Sequence, residues 1–134
     1  GLQNTFEATV NSIVKYSWHK KTGAVADSEQ MAAYFREKAK QRMLDAGSKT
    51  VHGDFLACSN FDLSARLEEI AVPVLVIASD CDRMVPLKVS REMAEKLPNS
   101  EFVSLENCGH FQHIEQTAKV AGELVTFLSK LRNT

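Results

Sequence analysis

Residues Val72-Pro73-Val74-Leu75-Val76-Ile77-Ala78 form an almost unbroken apolar, largely β-branched run, and that run fixes most of what the chain can fold into. A strand with one wet face alternates apolar and polar residues, whereas one that is apolar throughout is covered on both faces, as parallel strands are. A parallel partner requires a crossover. Leu87 to Leu97 supplies a helix for it, with Val89, Met93, Ala94 and Leu97 expected inward and Pro98 ending it. Glu101 to Leu105 reads as a second, shorter strand. Thr117 to Leu131 reads as a closing helix with Ala121, Leu124, Val125, Leu128 and Leu131 on one side. Strand, helix, strand, helix with short links predicts parallel pairing through a right-handed crossover.

The rhythm before this run is helical. Leu2, Phe6, Val10, Ile13 and Val14 recur at helical spacing. A polar connection from Tyr16 to Asp27, with Lys20, Lys21, Thr22 and Gly23, leads to a second helix expected to start near Asp27 or Ser28. Met31, Tyr34, Phe35, Ala39 and Met43 mark its apolar face. Gly47 suits a C-terminal cap in the left-handed region, and Ser48 can open a third helix through Val51, Phe55 and Cys58. Asp62 can cap a short turn with Leu63 and Leu67 inside. The expected class is therefore α/β, with a helical segment over residues 1–62 and a βαβα unit over 63–134 that forms the end of a parallel sheet. Neither part looks able to close a core alone.

A length of 134 residues fits one domain. The formal net charge is −1, with acids and bases mixed. No basic stripe for nucleic acid and no polybasic membrane patch stands out, and the longest apolar run is far too short to span a bilayer. The first residues hold no apolar signal core. Three cysteines, Cys58, Cys81 and Cys108, then read as reduced thiols of a cytoplasmic protein rather than a disulfide framework.

In open parallel sheets reactive groups gather at the carboxyl ends of strands. Asp82 falls just past the first strand and His110, on a Gly-containing turn, just past the second. With neighbouring strands about 4.8 Å apart, both side chains reach one rim. A carboxylate there accepts the Nδ1–H of the imidazole, fixes its tautomer and leaves the other nitrogen to take a proton from a nucleophile. Asp82 and His110 are thus the candidate catalytic residues. Asp80, the rival acid, reads as a solvated turn residue. A Cys108–His110 thiol–imidazole pair is disfavoured, because a two-residue offset on one loop rarely aims both groups at each other. Cys108, His110 and His113 resemble a metal-ligand run without an obvious fourth ligand, so no metal and no cofactor is expected. Trp18, with Tyr16 and His19, reads as a helix end packed on the core rather than a substrate contact, Lys20-Lys21 as a solvated turn, and His113 as solvent-facing or lining the rim.

These residues resemble the α/β-hydrolase superfamily. The resemblance rests on Ile70-Ala71-Val72-Pro73-Val74-Leu75-Val76-Ile77, Asp82 with Val85-Pro86, Leu97-Pro98-Asn99-Ser100, Gly109-His110, and Glu115 followed by the helix to Phe127-Leu128. It covers roughly residues 63 to 131. Asp54-Phe55-Leu56-Ala57-Cys58 and Phe61-Asp62 are similar, more weakly, to that family's cap insertion. The resemblance implies a partial α/β-hydrolase fold, Asp82 as triad acid, His110 as base, and hydrolysis of a small, apolar ester-like substrate. Ser79 replaces a glycine common in the family, and Thr117 a proline. The larger departure is that no Gly-x-Ser-x-Gly nucleophile motif occurs in the 134 residues.

Two strands make a poor sheet, and an uncovered strand edge tends to recruit another chain. Each apolar side chain left uncovered forfeits about 1.5 to 3 kcal/mol, a large share of a domain's stability of about 5 to 15 kcal/mol. Self-association is therefore expected, either as a two-fold dimer with the Val72 to Ala78 edges antiparallel or by exchange of the helical halves. Two functions compete. One is part of a serine hydrolase, inactive without its nucleophile. The other is a non-catalytic dimeric binding or interaction module in which Asp82 and His110 are relics.

Overall fold

A computed structural model describes residues 2–19 and 29–132. The order is α1 (Leu2–Ser17), α2 (Glu29–Asn60), a 3-10 turn (Leu67–Glu69), β1 (Val74–Ser79), α3 (Leu87–Lys96), β2 (Ser100–Leu105), α4 (Gln112–Glu115) and α5 (Thr117–Arg132). The expected helix start at Asp27 or Ser28 and the connection through Lys20, Lys21, Thr22 and Gly23 lie outside the described residues. Among those residues no helix is long and apolar enough to cross a membrane.

The βαβα unit folds as its sequence requires. β1 and β2 pair in parallel, from Val74 opposite Ser100 to Ser79 opposite Leu105, with α3 as the crossover. Leu97 is extended (φ −78°, ψ 125°), the backbone that Pro98 imposes on the residue before it. Val76, Ala94 and Leu97 are the buried centre, and Leu67, Ile70, Val74 and Phe102 pack on it.

Two expected inward residues of α3 are not covered: Val89 is 52% and Met93 37% exposed. Both line a small groove of about 260 Å³ with Phe61, Leu63 and Leu67. Leu124, Val125, Leu128 and Leu131 of α5 share a side as the spacing predicts, yet all four are exposed. Helical period reports which residues share a face, not what lies against it.

In the helical part, Val10 is fully buried and Phe6, Ile13 and Val14 are half-buried. Lys40 of α2 pairs with Glu7 of α1 at 3.2 Å, and Arg36 stacks over Trp18 at 5.9 Å. Gly47 does break α2, but not as the left-handed cap expected. Its φ of 81° comes with ψ of 159°, a region open essentially to glycine alone. Among the described residues of α2 the buried one is Ala32, while Met31 and Tyr34 of the expected apolar face are about half exposed.

Candidate active site

The rim at the carboxyl ends of β1 and β2 gathers the polar groups. Asp82 follows β1 in a tight turn that its own side chain closes. Oδ1 accepts the backbone N–H of Met84 at 2.8 Å and of Val85 at 2.9 Å, leaving Oδ2 to point elsewhere. Oδ2 meets Nδ1 of His110 at 2.9 Å. The Asp82 side chain is 6% exposed and that of His110 37%, so the acid is shielded while the imidazole stays open to solvent. A carboxylate with one oxygen fixed by two amides cannot swing, which fixes the imidazole on the other oxygen.

The structure thus brings Asp82 and His110 together and parts them from the alternatives. Asp80 turns toward the other loop, where its Oδ1 accepts the Cys108 N–H at 3.3 Å, while its own N–H bonds to the Leu105 carbonyl at 3.0 Å. Burial works against its charge, but hydrogen bonds from the Asn107 and Cys108 amides and the Cys81 thiol prevail and hold it below the ordinary carboxylate range. It is the exposed turn residue expected, and it also braces the two strand ends. Cys108 is fully buried, and burial pushes its thiol up to about 11. It therefore stays protonated at neutral pH and is a poor nucleophile or metal ligand. Among the described residues no group of three His, Cys, Asp or Glu side chains is placed to hold a metal ion.

The loop carrying the base is held by side chains that the sequence did not single out for this task. Gln112 Nε2 bonds to the Ile77 carbonyl at 3.1 Å and ties α4 to β1. Gln116 Nε2 bonds to the Glu106 carbonyl at 2.7 Å. Asn107 adopts a left-handed φ of 55°, which asparagine tolerates better than most residues. Glu115, 1% exposed, sits beneath the loop. Gly109 is needed for its closeness rather than its conformation: a Cβ there would lie 2.6 Å from the His19 nitrogen and 2.7 Å from Glu115 Oε1.

The end of α1 completes the surroundings. Trp18 is buried and packs on Phe111, ring centres 5.1 Å apart, so it is a helix end seated on the core. Arg83, next to the acid, donates to the Lys15 carbonyl at 3.1 Å and stacks over Tyr16 at 4.4 Å. Trp18 and Phe111 also line a cleft of about 720 Å³ together with Phe35, Lys38 and Met43 of α2 and the exposed His113. The cleft therefore opens one residue away from the imidazole.

Comparison with known proteins bears on the family and the fold. The profile of a family described as alpha/beta hydrolase fold matches residues 2–117. A putative carbamate hydrolase, RutD, of Pseudomonas syringae pv. syringae is 41% identical over 73 residues, 54% of this chain and 28% of that protein. The monoacylglycerol lipase ABHD6 of Mus musculus is 28% identical over 116 residues, 78% of this chain and 34% of the lipase. The enol-lactonase of Burkholderia xenovorans LB400 superposes with a TM-score of 0.80 at 18% identity, over 92% of this chain and 45% of the lactonase. The chain spans about a third or less of the length of these two curated relatives.

Proposed function

Because this chain belongs to the alpha/beta hydrolase fold family, whose profile spans residues 2–117, we propose that Asp82 and His110 are the acid and base of a serine hydrolase. The observation that carries this reading is the 2.9 Å contact between Asp82 Oδ2 and His110 Nδ1, made by a carboxylate whose other oxygen is already engaged. His110 Nε2 takes the proton of a serine hydroxyl as that oxygen adds to an acyl carbon. It returns the proton to the leaving group as the acyl bond breaks, and water then repeats both steps to free the serine. Asp82 holds the ring and stabilises the imidazolium between transfers. The sequence holds no Gly-x-Ser-x-Gly, so the serine comes from a segment beyond these residues. Residues 1–62 act as the cap over the site, and residues 63–134 as the end of the core. A small ester or related acyl compound with an apolar body suits the cleft beside Phe111 and Trp18. The three free thiols go with a reducing, cytoplasmic setting.

A nitrophenyl ester tests this. The chain alone turns it over no faster than its His110→Ala variant. The same residues joined to an upstream reading frame bearing Gly-x-Ser-x-Gly hydrolyse it, and there His110→Ala lowers kcat by about 10⁴- to 10⁶-fold. Full activity of that variant refutes the assignment.

A second reading, a non-catalytic dimeric module, draws on the uncovered apolar surface. Val72 is 65% exposed, Val125 64% and Leu128 58%, beside a sheet of two strands among the described residues. A second copy pairing along β1 would extend that sheet. Light scattering on the isolated chain is then expected to give twice 14.9 kDa or more. A stable, dilute monomer would rule this association out.

A further inference from the structure

We infer that Glu115 is a positioning residue for His110, and that its carboxyl group joins the loop of the base to the end of α1. This rests on His110 being the base. Three consecutive backbone N–H groups span that residue. Gly109 donates to Glu115 Oε2 at 3.0 Å and Phe111 to Oε1 at 3.2 Å. His110 itself donates to the Ser17 carbonyl at 2.7 Å. Glu115 Oε2 also accepts the His19 N–H at 3.2 Å, so one carboxyl group touches both segments. Its two oxygens grip the residue on either side of the base, which fixes the path of the backbone and with it the direction of the imidazole.

The site is built around this grip. Glu115 is 1% exposed, and a carboxyl group so far from water persists only when hydrogen bonds replace its solvation. Backbone amides do so here. Gly109 admits it, since a Cβ would lie 2.7 Å from Oε1 and 2.9 Å from the Ser17 carbonyl. None of these bonds reaches the imidazole, so Glu115 acts through the loop and not on the substrate. It also makes the placement of the base depend on α1 staying docked through Ser17 and His19.

The test uses the whole chain and the downfield proton resonance of His110 Nδ1–H. Glu115→Gln keeps the size but leaves one acceptor oxygen and turns an NH₂ toward backbone donors. The expected result is loss or strong broadening of that resonance, with the β1 and β2 amide peaks unmoved. Gln116→Ala, which removes the bond to Glu106 but none to residues 109–111, should leave the resonance intact. An undiminished signal in Glu115→Gln, or equal loss in Gln116→Ala, overturns the proposal. If Glu115→Gln does not fold, amide exchange in the wild type decides. Protection of Gly109, Phe111 and His19 as one group supports the clamp, and free exchange at any of them overturns it. A wild type with no downfield resonance would instead sink the Asp82–His110 reading itself.

Discussion

Asp82→Asn in the completed hydrolase is expected to lower kcat by about 10⁴-fold while leaving the fold intact. The two oxygens of Asp82 have different work. Oδ1 accepts from Met84 and Val85, and both of those donors remain in the variant. The asparagine carbonyl must take that place, which turns its NH₂ toward His110 Nδ1. A donor facing Nδ1 forces the ring into the tautomer with its proton on Nε2. The nitrogen that should receive the serine proton is then already occupied. Steady-state kcat on a nitrophenyl ester, with an unchanged thermal midpoint, is the measurement. A loss below tenfold would mean that Asp82 does not set the tautomer.

Gly109→Ala is expected to destabilise the chain by about 1 to 3 kcal/mol and to loosen the end of α1. Its methyl would meet the His19 nitrogen at 2.6 Å and the Ser17 carbonyl at 2.9 Å. Both are backbone atoms and cannot rotate away as a side-chain tip could. Either the His110 loop shifts or α1 lifts, and each costs the bond from His110 N–H to Ser17. Trp18 fluorescence should move to longer wavelength as its ring leaves Phe111. A glycine with open space around it serves as control: Gly53→Ala meets nothing within 4 Å and, inside α2, should be neutral or slightly stabilising. Equal effects from the two substitutions would contradict the close-approach explanation.

The βαβα order was legible because its signals are local. An apolar run implies a buried strand, Pro98 stops a helix, and the carboxyl ends of adjacent parallel strands fall on one rim. The same local signals put Asp82 and His110 within reach of each other. The work of Glu115 was not legible, although the residue stood out as part of the family pattern. It binds backbone N–H groups as far away as His19, 96 positions along the chain, and a backbone donor leaves no trace in residue type. Asp80 is the exposed turn residue its sequence suggests, but its bond to the amide of Cys108 is hidden for the same reason. The exposed faces of α5 and of α3 at Val89 and Met93 show a different gap: spacing groups residues on one side without naming their cover.

The tautomer of His110 tests the pairing most directly. In the folded chain, at a pH where imidazole is neutral, a long-range nitrogen–proton spectrum should show the proton on Nδ1. Its resonance should lie far downfield and disappear in Asp82→Asn. A proton found on Nε2 in the wild type, with the spectrum unaltered by Asp82→Asn, would contradict the acid–base pair on which the hydrolase reading stands.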